Sequence, residues 1–219
     1  MELVEGNRRR RALVVVAHPD DEVLWCGGAM LARPAWSWGV VTLCRASDAD
    51  RSPKFQRVIE QLGATGAMGD ADDGPEQRPL ADDVVRTELE RIVGDEPYDV
   101  VLTHGPRGEY TRHRRHEEVC RAVGLMWTGG TIRTDELWMF AFEDGGREYL
   151  PRAIPGVDIH ERLSDAVWNE KHRLMTGVYG FAESSWEARA TPRSEAFWRF
   201  TDPRDARTWI REQQQGLDV

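Results

Sequence analysis

One histidine and three acids crowd the stretch His18-Pro19-Asp20-Asp21-Glu22, directly after an apolar run. Four ionisable groups that close repel and desolvate one another unless a cation or a proton-transfer task organises them. A second imidazole pair, in His113-Arg114-Arg115-His116, lies far along the chain, after the turn-rich Gly105-Pro106-Arg107-Gly108. The three-residue spacing lets His18 and Asp21 turn toward one point at a strand-to-helix junction. Two imidazoles and one carboxylate, His18, His116 and Asp21, suit Zn²⁺ at bond lengths of about 2.0–2.2 Å with a fourth position left for water. Fe(II), Co(II) and Ni(II) accept the same donors. Water on such an ion ionises near pH 7, at roughly that pKa. Asp20, beside the ligand pair and not needed for coordination, is placed to take the water's proton. His113, one helical turn before His116, can serve the oxyanion or the leaving amine.

These residues work together only if the fold joins them. Leu13-Val14-Val15-Val16 reads as a buried, parallel strand, since it is β-branched and shows no polar alternation. A helix over Val23 to Ala32 follows, with Asp20 or Asp21 as its capping oxygen. Further strands are expected over Trp38 to Leu43, Ala64 to Met68 and Tyr98 to Leu102. Helices are expected over Lys54 to Leu62, Leu80 to Val93 and His116 to Trp127, with Gly69 to Gly74 as loop. Strands alternating with helices imply an α/β fold with a mostly parallel sheet. Both histidine clusters follow strand C-termini, the edge where such sheets bind ligands. Asp135 to Phe142 reads as a strand that Arg147 to Ala153 pairs with across Asp144-Gly145-Gly146. Glu161 to Tyr179 reads as the last long helix, and the tail from Glu183 as an irregular, aromatic-rich flap or packing arm.

Composition narrows the partners. With 219 residues and 40% apolar content the chain can fill one substantial core. A formal charge of −9 argues against general nucleic-acid binding, which needs clustered cations. Arg8-Arg9-Arg10-Arg11 is the exception, read as a solvated N-terminal arm over 1–11. The apolar run behind it is too short for a secretory segment or a membrane span. Three cysteines without C-x-x-C spacing, Cys26, Cys44 and Cys120, point to reduced thiols in a cytoplasmic protein, with Cys44 and Cys120 as small buried hydrophobes. No G-x-G-x-x-G follows the first strand, so a nicotinamide cofactor is not expected.

The string Ala17-His18-Pro19-Asp20-Asp21-Glu22, then Gly27-Gly28, and later a His-x-x-His after Gly108-Glu109-Tyr110, resembles the PIG-L/LmbE-like superfamily of zinc-dependent N-deacetylases. The resemblance runs from Leu13 to about Tyr179. It implies a Rossmann-like sheet flanked by helices with the metal site at the C-terminal edge of the strands, a domain over 12–182, and an aromatic-rich extension over 183–219. It implies His18, Asp21 and His116 as metal ligands, Asp20 as general base, and His113 as the oxyanion-stabilising or acid residue. The implied substrate is a small N-acylated, most simply N-acetylated, sugar or glycoconjugate derived from N-acetylglucosamine. Arg51 is the nearest match to the family's sugar-contacting arginine, with Arg57 competing for that role. The family's second motif is commonly His-x-Asp-His, whereas Arg115 holds the third position here. A cation beside His113 would disfavour its imidazolium form, and Glu109, Glu117 or Glu118 would have to compensate.

Two further residues are weighed as substrate contacts. Trp25, one turn beyond Asp21, is expected at the cleft mouth, where sugar faces stack on aromatics. His104, closing the fourth strand, is either a cleft residue or a hydrogen-bonded loop histidine. Glu22 reads as support for the helix start or a ligand histidine. Two other functions share the donor set: a non-haem Fe(II) oxygenase with a facial triad, and a metal-binding homologue without turnover.

Overall fold

The computed structural model describes residues 9–215. The first strand, β1 (Arg11–Val16), shows why an unbroken apolar run makes a central strand. Its side chains alternate between two cores: Ala12, Val14 and Val16 face one layer, while Leu13, Val15 and Ala17 face the other. Burying each large side chain is worth roughly 1.5–3 kcal/mol, so both layers depend on this strand. β2 (Ser37–Thr42) and β4 (Tyr98–Thr103) pair with it in parallel, β3 (Thr65–Met68) extends the β2 side, and β5 (Thr134–Phe140) extends the β4 side. The helices α1 (Asp21–Leu31) and α2 (Arg51–Gln61) cover one face, and α3 (Asp82–Val93) and α4 (Arg114–Thr128) the other. The strand order β3-β2-β1-β4-β5 reverses between β1 and β4. That reversal is the crevice where open α/β sheets place ligands, and both histidine clusters follow those two strands.

The elements of the C-terminal third differ from the expectation. β6 (Phe142–Glu143) and β7 (Arg152–Ala153) form a two-residue ladder, so only the end of the anticipated hairpin pairs. The long helix expected from Glu161 begins later: β8 (Ile159–Arg162) comes first, then α5 (Asp165–Arg173), which opens on a Ser164 cap and passes into a π-helical turn over Leu174–Val178. Between Glu183 and residue 215 the chain forms α6 (Trp186–Ala190), β9 (Ser194–Phe200) and α7 (Pro203–Gln214), and is not the irregular arm expected. β9 runs antiparallel between β5 and β8, completing a seven-stranded sheet. Residues 1–8 of the expected basic arm lie outside the described residues. Arg9 to Arg11 are not a solvated arm. Arg9 donates to the carbonyls of Pro34 and Ala35, Arg10 pairs with Glu136 and lies over Trp36, and Arg11 starts β1.

A buried ion pair ties this C-terminal part to α1. Lys171 Nζ donates to Glu195 Oε1 at 2.6 Å, both side chains fully buried. Glu195 also accepts the amides of Gly28 and Ala29, at 2.7 Å each. Gly28 permits this approach, since a Cβ there would lie 2.5 Å from Leu163 and 2.9 Å from Glu195 Oε1. Among the described residues no helix is long and apolar enough to cross a membrane.

Candidate metal centre

The turn after β1 is held by its own side chains. Asp21 Oδ2 accepts the His18 amide at 2.9 Å and lies 3.1 Å from His18 Nδ1. Neither Asp20 nor Asp21 caps α1 through its side chain, contrary to expectation. The Asp21 carboxylate is engaged with imidazoles instead, and Asp20 sits at φ 127°, a strained value for a residue with a Cβ. The Asp20 amide donates to Glu22 Oε2 at 3.0 Å, and the Tyr179 hydroxyl donates to Glu22 Oε1 at 2.5 Å. Glu22 therefore braces the strained residue.

The second cluster comes from the loop after β4 and the first turn of α4. His116 is buried, and its Nε2 lies 3.3 Å from Asp21 Oδ2. No hydrogen bond of acceptable geometry reaches that nitrogen. A buried imidazole nitrogen without a partner, facing a carboxylate and a second imidazole, fits a divalent cation. His116 Nδ1 is set 2.6 Å from Glu109 Oε2, while His18 Nε2 lies 3.2 Å from Asp73 Oδ1. Each imidazole thus has a carboxylate on the side away from Asp21, an arrangement that orients metal-binding histidines.

Charge in the cluster is strongly perturbed. Burial and the charge of Asp21 push the Asp20 carboxyl up to about 7, against the pull of Arg51, whose Nη1 donates to Asp20 Oδ2 at 2.6 Å. Against its own burial, the His116 and His104 rings hold Asp21 well below the usual carboxylate range. Burial lowers His18, but Asp21 and Asp73 outweigh it and hold the ring up to about 9. That proton is the one a cation would displace. Burial, with His116 and His18 close by, pushes His113 down to about 2, so its ring is neutral near pH 7.

A cavity of about 570 Å³ opens over the cluster, lined by His18, Asp20, Asp21, Arg51, Asp73 and His113 among others. Asp20, His113 and Arg51 therefore reach the space a substrate would enter. Two residues weighed as contacts do not, and for His104 the other reading, a hydrogen-bonded histidine, is the one the structure shows. Trp25 is fully buried, and its indole N–H donates to Asp21 Oδ1 at 3.1 Å, fixing that carboxylate from beneath. One helical turn after Asp21, it points into the core and not to the mouth. His104 is also fully buried. Its Nε2 faces the Ala17 amide at 2.9 Å, and its Nδ1 lies 2.9 Å from Glu109 Oε2. The aromatic at the mouth is Trp186, at 37% exposure, whose ring lies 4.7 Å from Tyr110.

Arg115 answers the departure in the second motif. It is fully buried and turns to the 69–81 loop, donating to the carbonyls of Asp72 (2.7 Å) and Arg78 (2.8 Å) and to Glu118 Oε2 (2.6 Å). Glu118 Oε1 in turn accepts the Leu80 amide. The arginine therefore anchors the loop that presents Asp73 to His18. Sequence reasoning missed Asp73, and named Glu109 only as a possible counter-charge.

This mostly parallel sheet flanked by helices matches the fold of LmbE-like deacetylases. The family model described as PIG-L: GlcNAc-PI de-N-acetylase matches residues 13–127, and the chain belongs to this family. An uncharacterized protein of Acanthamoeba polyphaga mimivirus is 23% identical over 137 residues, 55% of this chain and 60% of its own length. The chain thus spans less than two thirds of that curated relative. The N,N'-diacetylchitobiose deacetylase of Pyrococcus horikoshii superposes with a TM-score of 0.66 at 14% identity, covering 88% of this chain and 84% of its own. The 4-carboxy-2-hydroxymuconate hydratase GalB of Pseudomonas putida gives 0.59 at 18% identity, covering 83% and 82%. At such identities these likenesses show the fold.

Proposed function

We propose that this chain is a divalent-metal-dependent hydrolase that removes an N-acyl group, acetyl in the simplest case, from an amino sugar or conjugate derived from N-acetylglucosamine. Family membership and the deacetylase fold support the reaction class. The observation that carries the metal is the buried Nε2 of His116, which makes no hydrogen bond and faces Asp21 at 3.3 Å beneath a cleft lined by Asp20 and His18. His18, Asp21 and His116 would hold the ion, with zinc the best match to the donors. When bound, zinc supplies Lewis acidity and lowers the pKa of water toward roughly 7.

The remaining chemistry belongs to the chain. Asp20, poised near neutrality, takes a proton from the attacking water on a carboxylate oxygen. It then returns that proton to the nitrogen as the C–N bond breaks, so one group acts as base and then as acid. His113 is neutral, so it acts by donating a ring N–H to the developing oxyanion and not as a cationic acid. Arg51 holds the Asp20 carboxylate in place and offers its free N–H groups to sugar hydroxyls. Trp186 and Tyr110 present ring faces on which a sugar can lie.

Asp20→Asn tests this reading. Metal content should stay at the wild-type level, while amine release from N-acetylated amino sugars, N,N'-diacetylchitobiose included, should fall by about 10²–10⁴-fold. A variant that keeps both its metal and its turnover would show that Asp20 is not the base.

A further inference from the structure

His18 has two ring nitrogens, and they face different donors. Nδ1 faces Asp21 at 3.1 Å, while Nε2 faces Asp73 Oδ1 at 3.2 Å. Cys44 joins the second group: ligand atoms of His18, Cys44 and Asp73 all lie within 4.8 Å of one another. The sheet explains the convergence. β1 and β2 are hydrogen-bonded neighbours in register Val16↔Thr42, so His18 and Cys44 both lie two residues past adjoining strand ends. Asp73 descends on them from the loop that Arg115 clamps. A tetrahedral ion with bonds of about 2.0–2.2 Å spaces its nitrogen and oxygen ligands by about 3.3–3.6 Å. The observed 3.2 Å is nearly that spacing.

We propose that His18 Nε2, Cys44 Sγ and Asp73 Oδ1 form a second, inhibitory site for a thiophilic divalent ion, such as Cd²⁺ or excess Zn²⁺. One thiolate beside an imidazole and a carboxylate makes this set softer than the His18/Asp21/His116 set, which has no sulfur. Binding releases the Cys44 thiol proton to solvent and forms the metal–sulfur bond. The ion takes Asp73 Oδ1 from Gln77, which donates to it at 2.8 Å, and leaves Oδ2 with Arg45. His18 then coordinates through Nε2, releasing to solvent the proton it held toward Asp73, while Nδ1 leaves the first site, takes a proton from solvent and donates it to Asp21. The first site loses a ligand without any change at Asp20 or His113. Only this consequence, inhibition, rests on the proposed deacetylase reading; occupancy of the site does not.

The test is a Cd²⁺ titration of the zinc-loaded wild type, Cys44→Ser, Cys44→Ala and His116→Ala, read by near-ultraviolet thiolate-to-metal charge-transfer absorption. The band should appear in the wild type, vanish in both Cys44 variants, and persist in His116→Ala, where the first site is dismantled. In an amine-release assay, both Cys44 variants should keep wild-type activity without Cd²⁺ and need at least about tenfold more Cd²⁺ for half-inhibition. Absence of the band from the wild type, or its survival in the Cys44 variants (with Cys26 or Cys120 then the source), overturns the proposal. Failure of the deacetylase reading would instead show as no amine release from any variant, with the Cys44-dependent band intact.

Discussion

The two imidazoles proposed as ligands beside Asp21 are backed by carboxylates of different standing. Behind His116, Glu109 is fully buried and accepts from the Gly105 amide at 2.8 Å as well as from His104 and His116. Against its burial, those two rings hold it down to about 2. Behind His18, Asp73 sits on an irregular loop and shares its charge with Arg45, whose side chain is 43% exposed. One half of the site is sealed in the protein; the other opens onto the cleft and can be rearranged from it. The proposed metal centre therefore has one fixed wall and one adjustable wall, each following the same carboxylate–imidazole rule.

The largest expected effect is on the fixed wall. Glu109→Gln should weaken metal binding by about 10–100-fold, the usual cost of losing such a partner. Asp73→Asn should cost about tenfold or less, because Arg45 and Gln77 still hold the loop end. Competition with a chromophoric chelator measures both, and equal losses would abolish the distinction between the walls.

A smaller effect distinguishes the walls by titration. Arg51 pulls the Asp20 carboxyl down, so Arg51→Gln should let it rise. The acid limb of kcat/KM against pH should then move upward by on the order of one pH unit. An unmoved limb would detach Arg51 from the base.

The smallest effect concerns stability. A glutamate in the unfolded chain ionises at about pH 4.3, whereas burial pushes Glu22 up to about 8 in the fold. Between those values the folded state binds more protons than the unfolded one, so the Glu22 contribution to stability declines as pH rises. Glu22→Gln, which can still accept the Asp20 amide, should flatten the dependence of Tm on pH between about 5 and 8. An unchanged slope would assign that dependence elsewhere.

These walls were unequally legible in the sequence. The β1 run and the acids after it are contiguous, so strand, turn and His18-Asp20-Asp21 could be read together. The strand alternation placed His113 and His116 on the same sheet edge. Asp73 carried no such signal: it is one of several acids in a Gly- and Asp-rich loop, and only the buried Arg115 shows which of them turns inward. Trp25 misled because helical spacing alone does not tell the core side of a first turn from its cleft side. Trp186, which does reach the cleft, comes from a segment read as irregular. β9 was missed for a related reason, since Ala196-Phe197-Trp198-Arg199-Phe200 lies in the same segment read as irregular.

That glutamate also sets an order of events in synthesis. The amides of Gly28 and Ala29, near the start of the chain, find their acceptor only in residue 195. While the chain is being made, the helix that begins at Asp21 has no anchor on that side until the last strand has left the ribosome. The residues proposed to do the chemistry come before this acceptor in the chain, so a chain cut ahead of residue 195 carries all of them while the Gly28 and Ala29 amides of α1 lack their carboxylate.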